Sequence, residues 1–257
     1  MEIIDTHAHL YSAEFDADRD AMISRAVKAG ITKIVLPNID SESIGGMMAL
    51  AAQYPELCRP AMGLHPCHVL PERWETDLEA CYQWLKKHPF VAVGECGMDL
   101  YWDQSTKEIQ AEALEVQCSW ALEFGLPMII HSRNATPECI AIVRPWAEKG
   151  VKGVFHCFSG TVEEAREITG MDWHLGIGGV VTFKKSDLGS ILKQVDSKYL
   201  ILETDAPYLA PVPYRGKRNE SSYLAYVNET LGEHLLMGRK ELAKLTTENA
   251  QRLFVKL

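Results

Sequence analysis

The sequence predicts an α/β protein of the (β/α)8 TIM-barrel class. Three observations point there. Short, β-rich apolar runs alternate with longer segments of helical character, eight times in all. At 257 residues the chain has a length that such a barrel commonly takes as one unit, so residues 1–257 are expected to form a single domain. Most of the apolar runs end in His, Glu or Asp, residues that a parallel barrel would gather on one face.

The first strand covers Ile3 to Ala8 and overlaps Asp5-Thr6-His7-Ala8-His9. In a regular strand Asp5, His7 and His9 share a face. Two imidazoles so spaced can grip one metal ion, with Asp5 as ligand or orienter; the alternative is a strand end with satisfied polar residues. A polar segment, Ser12–Ala29, stops at Gly30. Strand two is Ile31–Leu36, followed by a helix over Ser41–Tyr54. Strand three leads into Met62-Gly63-Leu64-His65-Pro66, and Pro71–Lys87 is helical. Strand four runs from Phe90 to Glu95. A helix over Ser105–Phe124 follows, with Ile109, Ala113, Val116, Trp120 and Phe124 at steps of three or four and Gly125 as its stop. Strand five is Pro127–His131, then a helix over Pro137–Lys149. Strand six is Gly153–His156, then a helix over Thr161–Thr169. Strand seven is His174–Gly178, with a helix over Asp187–Val195, and strand eight is Tyr199–Asp205. A loop and helices from Ser221 to Leu257 finish the chain.

Composition narrows the function. A net charge of −9 argues against a global electrostatic grip on nucleic acid, so polyanion binding would need a local basic patch. Seven scattered cysteines with no Cys-x-x-Cys pair suit reduced thiols in the cytoplasm. No signal segment and no membrane-length apolar run are present. Nothing implies an obligatory protein partner.

The strand ends carry His7 and His9, His65, Glu95, His131, His156 and Asp205. Leaving His65 aside, four His, one Glu and one Asp are what two adjacent divalent cations require. Any one His could be a satisfied core residue; so many at successive strand ends argue otherwise. Cys96 and Cys157, each following a presumed inward residue, are expected to face the helix layer. His65-Pro66-Cys67-His68 reads as a pocket lining rather than a third metal cluster. His88, His174 and His234 have no supporting pattern. Beyond Asp205 comes a basic loop with Arg215, Lys217 and Arg218, either solvated or phosphate-binding. Arg133 and Lys184-Lys185 would assist it.

These residues resemble the TatD family of metal-dependent deoxyribonucleases, of the amidohydrolase-like superfamily, and most of all its bacterial YjjV branch. The matching segments are Asp5-Thr-His-Ala-His9, Gly63-Leu-His-Pro66, Val93-Gly-Glu-Cys-Gly-Met-Asp-Leu-Tyr101 and Ile130-His-Ser-Arg133. Further on are Phe155-His-Cys-Phe-Ser-Gly160, Leu202-Glu-Thr-Asp-Ala-Pro-Tyr208, Arg215-Gly-Lys-Arg-Asn-Glu220 and Thr246-Thr-Glu-Asn-Ala-Gln-Arg-Leu-Phe254. The resemblance implies a two-metal hydrolase. His7, His9, Glu95 and Asp205 would hold one ion; Glu95, His131 and His156 would hold the other, with Glu95 bridging. Asp5 and Glu203 would support the ligands from behind. Trp102 stands where family members often have Arg, Asn134 where they have an acid, and Ser221 where Pro is common. These departures bear on substrate preference.

The expected activity is hydrolysis of an ester bond, a phosphodiester of DNA or else RNA. A metal-activated water would attack, with Glu95 bridging and Asp205 taking the proton. His65, His68, Arg133, Arg215, Lys217 and Arg218 would hold substrate. Zinc suits the imidazoles, while magnesium or manganese suits the carboxylates and phosphate chemistry. The competing readings are hydrolysis of an aminoacyl ester, such as a D-aminoacyl-tRNA, and metal-dependent binding without catalysis.

Overall fold

The computed structural model describes residues 2–257. Its eight strands are all parallel and form two arcs. The first holds β1 (Ile3–Asp5), β2 (Ile31–Pro37) and β3 (Cys58–Ala61). The second holds β4 (Val93–Asp99), β5 (Met128–Arg133), β6 (Gly153–Phe155), β7 (His174–Ile177) and β8 (Leu200–Leu202), in that order. Backbone hydrogen bonds bridge both seams. Met62 N donates to Ala92 O at 3.1 Å and Gly94 N to Met62 O at 2.9 Å. At the other seam Thr6 N donates to Leu202 O at 3.0 Å and Asp205 N to His7 O at 2.9 Å. The ring is thereby closed, as a TIM barrel requires.

Helices cover the outside: α1 (Arg19–Lys28), α2 (Ile44–Gln53), α3 (Trp74–Lys87), α4 (Lys107–Phe124), α5 (Thr136–Glu148), α6 (Val162–Gly170), α7 (Leu188–Leu192), α8 (Leu224–Leu235) and α9 (Arg239–Leu253). Among the described residues no helix is long and apolar enough to cross a membrane. Inside the ring, Ile4, Val35, Ala61, Ile129, Val154 and Ile201 from six strands pack together. Ala250, Leu253 and Phe254, at the end of α9, close that cluster. The bottom is therefore a dry plug, and polar chemistry is confined to the opposite, C-terminal mouth.

Two expectations change here. β4 runs on to Asp99, so Glu95 lies within the strand rather than at its end. Gly97 makes this possible: its φ is +139°, and a Cβ there would meet His131 O at 2.0 Å, so only glycine lets β4 lie this close to β5. On α4 the apolar stripe misreads the inward face. Ala113 and Trp120 are buried, but Val116 is 37 % exposed while Gln110 and Gln117 point inward. Gln110 Oε1 accepts from Asp99 N at 2.8 Å, and Gln117 Oε1 accepts from Leu64 N at 2.8 Å. Buried amides here satisfy backbone groups beside the β3 and β4 ends, and that outweighs their polarity.

Candidate metal centre

Glu95 is 2 % exposed and organises the mouth through its two oxygens. Oε2 faces His7 Nε2 at 3.1 Å and His9 Nε2 at 3.4 Å. The two imidazole nitrogens are 3.1 Å apart, and Asp205 Oδ1 is 3.7 Å from each. Oε1 faces His156 Nε2 at 2.8 Å and His131 Nδ1 at 2.9 Å, and those nitrogens are 3.2 Å apart. The His7 and His156 rings stack at 4.0 Å between the two groups.

The donor set fits divalent ions. A tetrahedral centre with bonds of about 2.0–2.1 Å has ligand–ligand edges of about 3.3 Å. The first group's donors lie 3.1–3.7 Å apart, bracketing that edge, and the three donors of the second lie slightly closer, 2.8–3.2 Å apart. Tautomers agree. Tyr11 Oη must donate its proton to Pro37 O, at 2.6 Å. It can then only accept from His9 Nδ1, at 3.1 Å, which leaves a lone pair on His9 Nε2 facing Glu95. His131 Nε2 lies 3.0 Å from Asp99 Oδ2; donating there leaves its Nδ1 lone pair for the centre. Burial pushes the Glu95 carboxyl up, but His156, His65, His7 and His131 outweigh it and hold Glu95 well below the usual carboxylate range. Burial pushes Asp205 up to about 6 and His7 well below the usual imidazole range.

His65 also enters the cluster, with Nε2 3.3 Å from both Glu95 Oε1 and His131 Nδ1. Its role is set by its other nitrogen. Cys67 N–H donates to His65 Nδ1 at 3.1 Å, and a backbone amide can do nothing but donate. The neutral ring therefore carries its proton on Nε2 and presents a donor to the centre, the opposite of a ligand.

The supporting residues fall differently from the strand-parity expectation. Asp5 does not share a face with His7 and His9. The strand breaks after it, and its carboxylate accepts from Thr204 N at 2.9 Å and Thr204 Oγ1 at 2.7 Å. It thus fixes the residue before Asp205 across the β1–β8 seam. Burial raises it to about 6. Glu203 is fully buried beside His156, with Oε1 3.6 Å from its Nδ1 and accepting from Cys157 N. Gly176 leaves the room it needs, since a Cβ there would meet Glu203 Oε2 at 2.1 Å. Cys96 is buried, with Sγ 3.6 Å from Ile129 O, as a residue facing the helix layer should be. Cys157 departs from expectation: its backbone turns left-handed, φ +48°, and the residue lines the cleft beside His156.

The basic loop is not one unit. Arg218 was expected to hold substrate; instead it forks onto Asp18, Nη1–Oδ1 2.7 Å and Nη2–Oδ2 2.9 Å, and donates to Glu14 O at 2.7 Å. Its neighbour Glu220 is gripped by Arg25 at 2.6 Å, so the loop is stapled to the start of the barrel. Lys217 is exposed, and Arg215 is exposed with its guanidinium 4.4 Å from the Phe183 ring centre. His68 is half-exposed, 3.4 Å from Asp40. Arg133 is exposed and lies over Tyr101.

Sequence reasoning passed over Asp99, Tyr11 and Asn219. Asp99 and Tyr11 set the tautomers, and Asn219 Nδ2 donates to Thr204 O and Tyr208 O, both at 2.7 Å, holding the loop after Asp205. Asp99 and Asn219 stand inside the motifs quoted above; Tyr11 had only its two-residue spacing from His9 as a signal.

The profile of one family, described as TatD related DNase, matches residues 4–255. An uncharacterised metal-dependent hydrolase, YabD of Bacillus subtilis, is 39 % identical over 253 residues, 98 % of each chain. A 3′-5′ ssDNA/RNA exonuclease TatD from Pectobacterium parmentieri is 32 % identical, over 98 % of this chain and 99 % of its own. The crystal structure of YjjV, a TatD homologue from Escherichia coli K12, superimposes with a TM-score of 0.93 at 31 % identity, over 99 % of this chain and 98 % of that one.

Proposed function

The chain belongs to the TatD related DNase family of metal-dependent hydrolases, and from that premise we propose that it cleaves phosphodiester bonds of single-stranded DNA or RNA with two divalent cations bridged by Glu95. The observation that carries this reading is the split of Glu95, with Oε2 toward His7 and His9 and Oε1 toward His131 and His156. His7, His9, Glu95 and Asp205 would hold one ion, and Glu95, His131 and His156 the other. When bound, such ions supply Lewis acidity and a water whose pKa falls toward about 7.

The chain's own residues do the rest. Asp205 sits at the rim of the first group and accepts the proton released by the attacking water. His65 Nε2–H donates to an oxygen of the scissile group, because its Nδ1 is already occupied by Cys67 N–H. Arg133, which lines the cleft beside His156, and Arg215, Lys217 and His68 would serve as donors for flanking phosphates. Residues 1–257 act as one catalytic domain in this reading. Seven free cysteines suit a reducing, cytoplasmic setting.

A metal-reconstituted screen tests it, with single-stranded DNA, RNA and a charged tRNA each incubated with zinc, manganese or magnesium. Nucleotide release that is absent from the Glu95→Ala protein is the expected result. Amino-acid release from charged tRNA with DNA and RNA left intact would replace the phosphodiester reading by an aminoacyl-ester one. Binding of all three without turnover would replace it by a binding protein.

A further inference from the structure

Two large aromatic side chains stand in solvent beside the centre. Trp102 is 71 % exposed and Tyr101 is 53 % exposed. Single exposed apolar residues need no explanation, but an adjacent Tyr–Trp pair at the rim of a polar mouth does. Their rings meet edge to face, 4.9 Å apart at 87°. The Arg133 guanidinium covers the Tyr101 face at 3.7 Å and reaches to 5.2 Å from the Trp102 ring centre. Arg133 makes no ion pair among the described residues, so its charge is available.

The pair is also fixed to the metal centre. Asp99 Oδ1 accepts from Tyr101 N at 3.0 Å and from Trp102 N at 3.4 Å. The other oxygen of the same carboxylate, Oδ2, is the partner of His131 Nε2 at 3.0 Å. One buried group therefore sets both the His131 imidazole and the loop that carries the rings. On one side Tyr101 and Arg133 line a cleft of about 530 Å³ that runs to His156 and Cys157. On the other, Trp102 walls a smaller cleft of about 230 Å³ against Pro66, Cys67 and Leu70.

We propose that Trp102, with Tyr101 and Arg133, is a stacking platform that holds one unstacked nucleobase of a single strand while the neighbouring phosphate lies at the Glu95 centre. The assignment rests on the nucleic-acid reading given above. The chemistry is specific to that ligand class. A base offers a flat π face to the indole, and its phosphate offers an anion to a guanidinium already lying beside the ring. Bases inside a duplex are stacked on their neighbours and cannot reach the indole, so the platform selects single strands and frayed ends.

A cycle between the protein and the substrate tests this. Wild type, Trp102→Ala and Trp102→Phe are compared on a short single-stranded oligonucleotide and on copies carrying one abasic residue at successive positions. KM and kcat are measured with metal present, and binding is measured by fluorescence anisotropy of the metal-loaded protein on phosphorothioate-linked copies of the same strands, which resist cleavage. Base–aromatic stacking is worth about 1–3 kcal/mol, so Trp102→Ala should raise KM and Kd about 5- to 150-fold, and more than it lowers kcat. Trp102→Phe should recover most of the loss. At one position the abasic substitution should cost wild type a similar factor and cost Trp102→Ala nothing. Multiplying penalties at every position, or an unchanged Kd in Trp102→Ala, would overturn the platform. Because Trp102 is exposed, an unchanged Tm identifies the loss as one of binding. If wild type binds with this pattern but cleaves neither DNA nor RNA, the reaction assigned above fails and the platform stands.

Discussion

Around Glu95, imidazoles from β5 and from just beyond β1, β3 and β6 converge on one buried carboxylate. Around Arg218, one acid near α1 and one carbonyl absorb a cation that the sequence had placed toward substrate. Both residues lie in motifs of dense, unusual charge. The difference is what determines their surroundings. A strand end in a closed parallel barrel has one mouth to face, so residue type and strand count nearly settle where its side chain goes. A loop cation can find any acid within reach, and Asp18 lies 200 positions away in the sequence. Charge density therefore identifies a site only where the backbone restricts direction.

The contrast breaks first at the centre itself. If Glu95 is the shared ligand, Glu95→Ala should lose both ions and lower kcat by about 10³-fold or more, as loss of metal-assisted chemistry demands. Metal content by mass spectrometry and kcat on single-stranded DNA check this; a variant holding its full metal complement would show that Glu95 bridges nothing. Asp205→Asn is the next largest. It should lower kcat by about 10²- to 10⁴-fold while substrate binding stays near wild type, the pattern of a lost proton acceptor.

Asp99 and His65 sharpen the comparison within the centre, because both touch His131 but from opposite sides. Asp99→Ala should weaken metal binding about 10- to 100-fold, since His131 loses the acceptor that fixes its tautomer. His65→Ala should leave metal content intact and lower turnover, because its Nε2 is a donor. Metal titration of the two variants separates them, and metal loss in His65→Ala would mean that its ring ligates after all.

Much of this centre was legible in the sequence. His131 and His156 were placed at the mouth because each ends an apolar run of the barrel, and alternation from the plug residues Ile129 and Val154 agrees with that placement. Parity failed at Asp5, where β1 ends and the chain crosses to Leu202 and Ala206, because hydrogen bonds to β8 and the residues after it override the pleat. It failed again at Cys157, whose left-handed turn redirects the residue after β6. Asp99 was missed because the strand was expected to stop at Glu95; a glycine two residues on was the signal that it continues. No local pattern could have paired Arg218 with Asp18, since neither residue's neighbours mark the other.

The smallest effects lie in that loop, and there the two cations should part. Lys217 is exposed and, among the described residues, has no carboxylate holding it, whereas Arg218 is forked onto Asp18. A lysine that meets a phosphate releases counterions when substrate binds, so Lys217→Ala should weaken DNA binding a few-fold and reduce the slope of log K against log salt by about 1. Arg218 is already neutralised within the fold, and its replacement by Ala should leave that slope unchanged. What Arg218→Ala should change is the attachment of the loop to the segment before α1, read as a Tm lower by about 2 °C. Binding isotherms across a salt series, with melting curves on the same samples, make the comparison direct. Equal slope changes in the two variants would mean that Arg218 leaves Asp18 to meet the substrate, and the two charges would then be one patch.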